Sequence, residues 1–228
     1  MNFKVSRKAI FIVCYALLAM ACNRKLEEEN LDLNLYPIID SKYRIYEVVD
    51  SMYPTTGVVG RKYYKMELTK GQEQDLLNRT VSRLEVYTSD SLSDFKFAEL
   101  WTQYKDGQFA ERIEGNTKYL VLNFPLNYKR KWDGNQYNLR GQEFYKYATL
   151  DTLLTLNGNI FPKSVMVLQA LDTNSIITHR RAWEVYAPGI GKVIKYDQFL
   201  KRNIVGTNVE ISSESYFHQE TLISHNYD

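Results

Sequence analysis

Between positions 109 and 124 the chain reads FAERIEGNTKYLVLNF, two runs of strand-forming residues around a Gly-Asn turn. The second run is continuously apolar at its centre, as expected of a buried strand. Gly115 and Asn116 tolerate the positive φ that a tight hairpin turn requires. The stretch therefore predicts a β-hairpin, and similar runs and turns continue on both sides of it.

Strand-like segments follow one another along most of the chain. Aromatic residues make up 14% of the sequence and fit the pleated surface of a sheet. No stretch sustains an apolar period of 3.6 residues, and no internal repeat is visible. We therefore predict a mainly β domain of antiparallel strands with little helix, with strands near residues 43–53, 62–69, 80–88, 95–104, 109–114, 119–124, 144–156, 164–170, 176–187 and 192–199.

The first 21 residues have the three parts of a secretory signal. Lys4, Arg7 and Lys8 form a basic start, residues 9–19 are apolar, and small residues precede Cys22. The apolar stretch is shorter than the about 20 residues that cross a bilayer as a helix, so a signal anchor is the weaker alternative. We predict that residues 1–21 are removed on export.

The end of this leader resembles the lipobox of bacterial lipoproteins, in which a Cys receives diacylglycerol and becomes the new N-terminus. The match consists of Ala21 and Cys22, although Ala19 stands where the family usually has Leu. The only other cysteine, Cys14, lies inside the leader, so the exported chain would form no internal disulfide. The resemblance implies lipidation at Cys22 and a lipid anchor in the outer membrane, on its periplasmic or cell-surface face.

A charged segment follows the cysteine. Residues 22–36 are expected to form an acidic tether, and residues 37–228 a single β-rich domain whose polar tail, 206–228, is an edge strand or a loose end. Lys25 and residues 27–29 of the tether resemble the export signal of surface lipoproteins of the Bacteroidota. A plain solvated linker is the alternative.

Three further stretches resemble uncharacterised lipoproteins of the Bacteroidota. They are residues 43–51, residues 123–126 with 131–135, and residues 184–193, whose YAPGIGKV segment is similar to a hairpin of that group. The resemblance extends from Tyr36 to about Phe199. It implies a single antiparallel sheet, curved or closed into a half-barrel, and it implies no activity.

Charge and motifs exclude several classes of function. Removing the three leader cations leaves 26 basic against 27 acidic residues, too few basic residues for binding nucleic acid through its phosphates. His179, His218 and His225 show no metal-ligand spacing, and no motif indicates a cofactor. We therefore expect no metal, no cofactor and no nucleic-acid partner.

Four aromatic residues are candidates for stacking against a ligand such as a sugar: Trp101, Tyr104, Trp132 and Tyr137. Trp132, next to a turn at residues 133–135, is expected to be the most exposed of them. The alternative is that most of these rings pack in the core or across strands, where aromatic residues stabilise sheets.

Three Asp-Ser/Thr-apolar triplets resemble acceptor sites for O-glycans in exported proteins of the Bacteroidota. Their acceptor residues are Ser51, Ser91 and Thr152. The alternative is ordinary turn chemistry of Asp and Ser.

No catalytic motif is present, so the sequence favours a non-catalytic binding module or an accessory subunit of an envelope complex, with a protein or a glycan as partner. The alternative is a glycan-active hydrolase that uses paired carboxylates, because such enzymes need only two well-placed acids. Acidic residues are plentiful, and the sequence singles out no pair among Asp94, Glu99, Asp106, Glu111 and Glu114.

Overall fold

A computed structural model describes residues 32–54, 57–172, 176–205 and 208–227. This part of the chain is 67% strand and 1% helix. Its thirteen strands are β1 Tyr43–Met52, β2 Val59–Gln74, β3 Thr80–Ser89, β4 Lys96–Lys105, β5 Phe109–Glu114, β6 Thr117–Asn123, β7 Lys131–Asp133, β8 Phe144–Leu156, β9 Asn159–Asp172, β10 Thr178–Ala187, β11 Gly191–Val205, β12 Asn208–Ile211 and β13 Tyr216–His225.

All strand pairs are antiparallel, and twelve strands form one sheet in the order β6-β5-β4-β3-β2-β1-β13-β11-β10-β9-β8-β7, with β12 pairing the end of β11. The predicted fold class is confirmed, and the sheet curves beyond a half-barrel until it is nearly closed. The two end strands meet through the segment after β7. Leu120 of β6 donates its N–H to the carbonyl of Gly134 at 3.0 Å, and the Trp132 indole donates to the carbonyl of Leu120 at 2.9 Å.

One end of the barrel-like sheet is closed by the residues that precede β1. Leu35 and Tyr36 are buried there in an apolar cluster with β6 and β8. Around them, Lys105 at the end of β4 donates to the carbonyl of Leu33 at 2.8 Å, and Gly189 donates its N–H to the carbonyl of Asn34 at 2.9 Å. We call this the plugged end and the opposite one the distal end. The folded domain thus includes residues 32–36, which the sequence analysis assigned to the tether.

The expectation of an edge or loose tail at 206–228 is wrong for residues 216–225, because β13 lies between β1 and β11 in the middle of the sheet, whereas β12 pairs with β11 alone. The error has a physical cause. A β-strand with one face in an apolar core usually alternates apolar and polar residues. In β13, however, His218 and Glu220 point into the interior, where they take part in ion pairs. Its inward face is therefore polar, and the pattern that identifies a buried strand is absent.

The YAPGIGKV segment does form a hairpin, with β10 ending at Ala187 and β11 beginning at Gly191. Gly191 has a φ of 93°, and a Cβ at this position would lie 2.5 Å from the Arg44 guanidinium. Glycine is therefore required both by the backbone and by the close packing of Arg44. Within the described part of the chain, no helix is long and apolar enough to cross a bilayer.

Candidate functional site

The interior of the sheet holds charges as well as apolar side chains. We call Lys65, Glu67, Lys192 and Glu220 the ion quartet. The Lys192 ammonium lies 2.9 Å from Glu67 and 2.7 Å from Glu220, and Lys65 pairs with the same two carboxylates. None of the four side chains is more than 7% exposed. The quartet thus joins β2, β11 and β13 across the interior.

The ion quartet keeps Glu67, Glu220 and Lys192 charged. Burial alone would raise the pKa of Glu67, but the ammonium groups of Lys192 and Lys65 outweigh it and hold this pKa below its usual value. The same two lysines lower the pKa of Glu220 against the effect of burial. Burial would lower the pKa of Lys192, yet Glu220 and Glu67 raise it. All three groups are therefore ionised at neutral pH.

A second ionic group lies between the quartet and the distal end. Arg112 of β5 is 2.5 Å from Glu114 and 3.2 Å from Glu184, and Lys195 lies 3.9 Å from the other oxygen of Glu114. Against the effect of burial, Arg112 and Lys195 hold the pKa of Glu114 at about 2 and keep that of Glu184 below its usual value. Tyr186 donates its hydroxyl to Glu184, so this carboxylate is both paired and hydrogen-bonded.

A cavity of about 200 Å³ opens next to this group. Its walls come from β5, β6, β8, β9, β10, β11 and the segment between β7 and β8. Because β5 runs from the plugged end and finishes at Glu114, the cavity lies towards the distal end. Equal numbers of basic and acidic side chains line it: Arg112, Arg140, Arg180 and Lys195, and Glu114, Glu143, Glu184 and Asp197.

Two further polar groups line the cavity and form no hydrogen bond with the described residues. The described residues offer no hydrogen bond to the Tyr145 hydroxyl or to the Gln169 amide, and both residues line the cavity. Tyr145 is fixed in place, because its ring packs edge-on against Trp132, with 6.1 Å between the ring centroids, and also packs against the backbone of Gly134. A Cβ at residue 134 would lie 2.2 Å from the ring, so only glycine allows this packing. The Tyr145 hydroxyl is therefore a preorganised polar group of the cavity wall.

Glu143 differs from the other carboxylates of the cavity. Burial raises its pKa, and Arg180, whose guanidinium is 3.9 Å away, only partly opposes the effect. Arg180 is instead engaged mainly by Asp197 of β11. The pKa of Glu143 is thus shifted in the opposite direction from those of Glu114 and Glu184.

The four aromatic residues proposed from the sequence do not form one site. Trp101 is buried, with its indole donating to Glu99 at 2.6 Å, and Tyr104 packs against Phe109. Trp132 was expected to be exposed, and this is wrong: it is 5% exposed, because its ring fills the space between β6 and β8. Tyr137 is exposed beside Lys118. None of the ring contacts in the described residues joins two of these four.

The remaining sequence candidates are dispersed. Ser91 and Thr152 are exposed and Ser51 is half-buried in β1, whereas Cys22 lies outside the described residues. Of the five acids considered for hydrolysis only Glu114 lines the cavity. The other four have partners elsewhere: Glu99 accepts from Trp101, Glu111 pairs with Arg79, Asp94 pairs with Lys96, and Asp106 caps a turn.

Sequence reasoning missed most of the charged interior. A usable signal was present, namely opposite charges two residues apart on one predicted strand, as in Lys65 with Glu67 and Arg112 with Glu114. Residues at this spacing share a face of the strand. When both charges lie on one face of a strand, that face is directed either towards solvent or towards a polar interior.

His218 connects the ion quartet to the surface and should make stability depend on pH. Its ring nitrogens contact Asp50 of β1 at 2.6 Å and Glu220 of β13 at 3.1 Å. Burial would lower its pKa, and Lys195 of β11 acts in the same sense, but the two carboxylates raise it above 6.5. Since the folded pKa is the higher one, protonated His218 stabilises the fold fully below about pH 6.5, and this contribution is lost as the pH rises through the folded pKa.

We therefore expect the difference in unfolding free energy between wild type and His218→Gln to shrink between about pH 6 and pH 8. Urea unfolding at a series of pH values measures it. An NMR titration of Asp50→Asn, which removes one partner, should give His218 a lower pKa than in the wild type. A difference that stays constant with pH would contradict this assignment.

Comparison of the chain with protein-family models, with curated proteins and with solved structures found no match in any of the three. Among the residues that the structure describes, no group of three or more His, Cys, Asp or Glu side chains is arranged to hold a metal ion. The cavity is therefore the feature on which a functional proposal can be built.

Proposed function

We propose that this protein is a lipid-anchored outer-membrane protein that binds a small polar ligand without transforming it, either alone or as a subunit of an envelope complex. The observation that supports this proposal is the distal cavity, where paired charges surround the unpartnered Tyr145 hydroxyl and Gln169 amide. Polar groups that are already fixed lose little conformational entropy when a ligand binds. The cavity is thus suited to recognition.

The distribution of charge favours binding over catalysis. Glu114 and Glu184 are both held by Arg112, and Asp197 is held by Arg180. A carboxylate that is stabilised in this way is a weak base and a weak nucleophile. Most of the acids in the cavity are therefore structural and shape the wall that a ligand would meet.

The position of the plugged end fits an anchor at Cys22. The described residues begin at Asp32, ten positions after this cysteine, and enter the domain at the plugged end. Ten residues span at most about 36 Å. With Cys22 in either leaflet of the outer membrane, the plugged end lies nearer to the lipid and the cavity opens away from it.

The anchor is tested by replacing Cys22 with Ala. The variant is expected to incorporate no labelled fatty acid and to leave the membrane fraction, because the thiol that accepts the lipid is gone. Cys14→Ala is the matched control and should remain lipidated. Fatty-acid labelling of the Cys22→Ala protein at the wild-type level would refute the anchor.

Ligand binding is tested by thermal denaturation of the purified protein with a panel of neutral sugars, amino sugars, sugar acids and amino acids. At least one compound should raise the melting temperature of the wild type, and the gain should be lost in Gln169→Leu, which removes a polar group of the cavity wall. Gln72→Leu, on the exposed part of β2, is the control. If no compound stabilises the wild type, or if Gln169→Leu responds equally, the cavity is not the binding site.

One observation supports a glycan-active hydrolase as the second candidate. Glu143, with its raised pKa, and the ionised Glu114 lie in one cavity, and an acid and a base with diverging pKa values are what glycoside hydrolysis needs. In an enzyme, Glu143→Gln should lower turnover of envelope glycans by about 100-fold or more, the contribution of a general acid. In a binding module the same variant is expected to keep ligand affinity within a few-fold, and no turnover should be seen in the wild type.

A further inference from the structure

The basic side chains of the cavity differ in one respect. Arg112, Arg180 and Lys195 each have a carboxylate within 4 Å. Arg140 forms no salt bridge with any described residue, and its guanidinium lies over the ring of Tyr119 at 5.6 Å. It is also exposed, so it stands at the mouth of the cavity. Arg140 is therefore the one guanidinium of the described cavity wall that is available to an incoming anion.

The acidic side chains of the cavity lie closer to its other cations than to Arg140. Arg112 and Lys195 pair with Glu114, Arg112 also pairs with Glu184, and Arg180 pairs with Asp197. Glu143 lies 3.9 Å from Arg180, and Arg140 acts on it from beyond 4 Å. A guanidinium binds a carboxylate through two parallel hydrogen bonds, which is a strong and directional contact.

Deeper in the cavity the free groups suit hydroxyls. The Tyr145 hydroxyl and the Gln169 amide can both donate and accept, and the buried Nε of Arg112 is a donor without a partner. A hydroxyl group also donates and accepts, so it can satisfy groups of either kind. The wall therefore matches a ligand that carries several hydroxyls better than an apolar one.

The size of the cavity limits the ligand. About 200 Å³ is below the about 300–1,000 Å³ that is usual for drug-sized ligands. The space fits one sugar ring better than an oligosaccharide, unless the remainder of a chain extends out of the mouth.

From these observations we infer that the cavity recognises a single sugar-acid unit, free or at the end of a glycan, with its carboxylate on Arg140 and its hydroxyls on Tyr145 and Gln169. This inference rests on the proposed binding function and names the chemical class of its ligand. An amino acid is the competing small ligand, but its ammonium group would need an unpaired carboxylate, and each of the four cavity carboxylates lies within 4 Å of an arginine.

The test is calorimetric titration of the full-length protein with glucuronate, glucose, glucosamine and alanine at low salt and about pH 7. Glucuronate is expected to bind at least about tenfold more tightly than glucose, as one charge-assisted contact would allow. Arg140→Gln should lower the affinity for glucuronate to that for glucose and leave the affinity for glucose unchanged. Arg181→Gln is the matched control. It removes an exposed guanidinium of β10, next to Arg180 in the sequence, and is expected to leave both affinities unchanged.

The outcomes separate this inference from the function on which it rests. Equal binding of glucuronate and glucose, tighter binding of glucosamine or alanine, or an unchanged glucuronate affinity in Arg140→Gln would overturn the sugar-acid assignment and leave a binding cavity in place. If none of the four compounds binds while another compound of the panel stabilises the protein through Gln169, only the sugar-acid inference fails. If nothing binds at all, both fail.

Discussion

Replacing Lys192 by Met is expected to lower the free energy of unfolding by about 3–5 kcal/mol. Met keeps the length of the side chain and removes its charge. Glu67 and Glu220 would then lose the ammonium group that lies 2.9 and 2.7 Å from them and would share Lys65. Their other ionic contacts are longer, from Arg44 to Glu67 at 3.7 Å and from His218 to Glu220 at 3.1 Å. Both carboxylates are almost fully buried, so water cannot replace the lost charge.

The measurement is equilibrium unfolding in urea at neutral pH. Lys62→Met is the matched control, because Lys62 lies on the same strand as Lys65 and its ammonium group is 2.7 Å from Glu47, but the pair is exposed to solvent. We expect no measurable change in the unfolding midpoint for this variant. A Lys192→Met protein as stable as the Lys62→Met protein would show that the ion quartet does not hold the interior together.

Trp132→Ala is expected to cost about 3–5 kcal/mol of stability, as the loss of a large buried aromatic side chain usually does. The centroid of its ring lies 4.8 Å from that of Tyr147 and 6.1 Å from that of Tyr145. The indole N–H donates a hydrogen bond to the carbonyl of Leu120. The substitution removes the contacts where the two end strands of the sheet meet. It also leaves a buried carbonyl without its partner.

Tyr137→Ala is the informative comparison, because the sequence suggested the same ligand-contact role for both residues. Tyr137 is 48% exposed, so its loss should change stability by no more than about 0.5 kcal/mol. Thermal and urea unfolding of the two variants measure both losses of stability. If Trp132→Ala folds with wild-type stability, the closure of the sheet described above is wrong.

The sequence predicted the positions of most strands well, because these strands are runs of β-branched and aromatic residues separated by turn-forming residues. Residues 109–114 were predicted as a strand and form β5 with the same bounds, and the prediction for 95–104 differs by one residue from β4. Gly and Asn at the connecting turns marked where the strands end. What local patterns could not provide is the order of the strands, since β13 joins β1 to β11 across more than 150 residues of sequence.

The candidate site was not predictable to the same degree. Glu114 was among the acids considered, but Glu114, Glu143 and Glu184 lie far apart in the sequence and meet only because the sheet closes. The aromatic candidates were drawn from composition, which does not distinguish a ring that packs in the core, such as Trp132, from one that faces solvent, such as Tyr137. The interior charges also removed the alternation that would have identified β13.

The most direct test of the central claim, that the distal cavity is a ligand-binding site, is a crystal structure of the protein grown with glucuronate at a concentration that saturates binding in solution. The expected result is one sugar acid in the cavity, with its carboxylate on the Arg140 guanidinium and a hydroxyl about 3 Å from the Tyr145 oxygen or the Gln169 amide. A cavity that contains only water under these conditions, or a ligand bound at another surface, would contradict the claim.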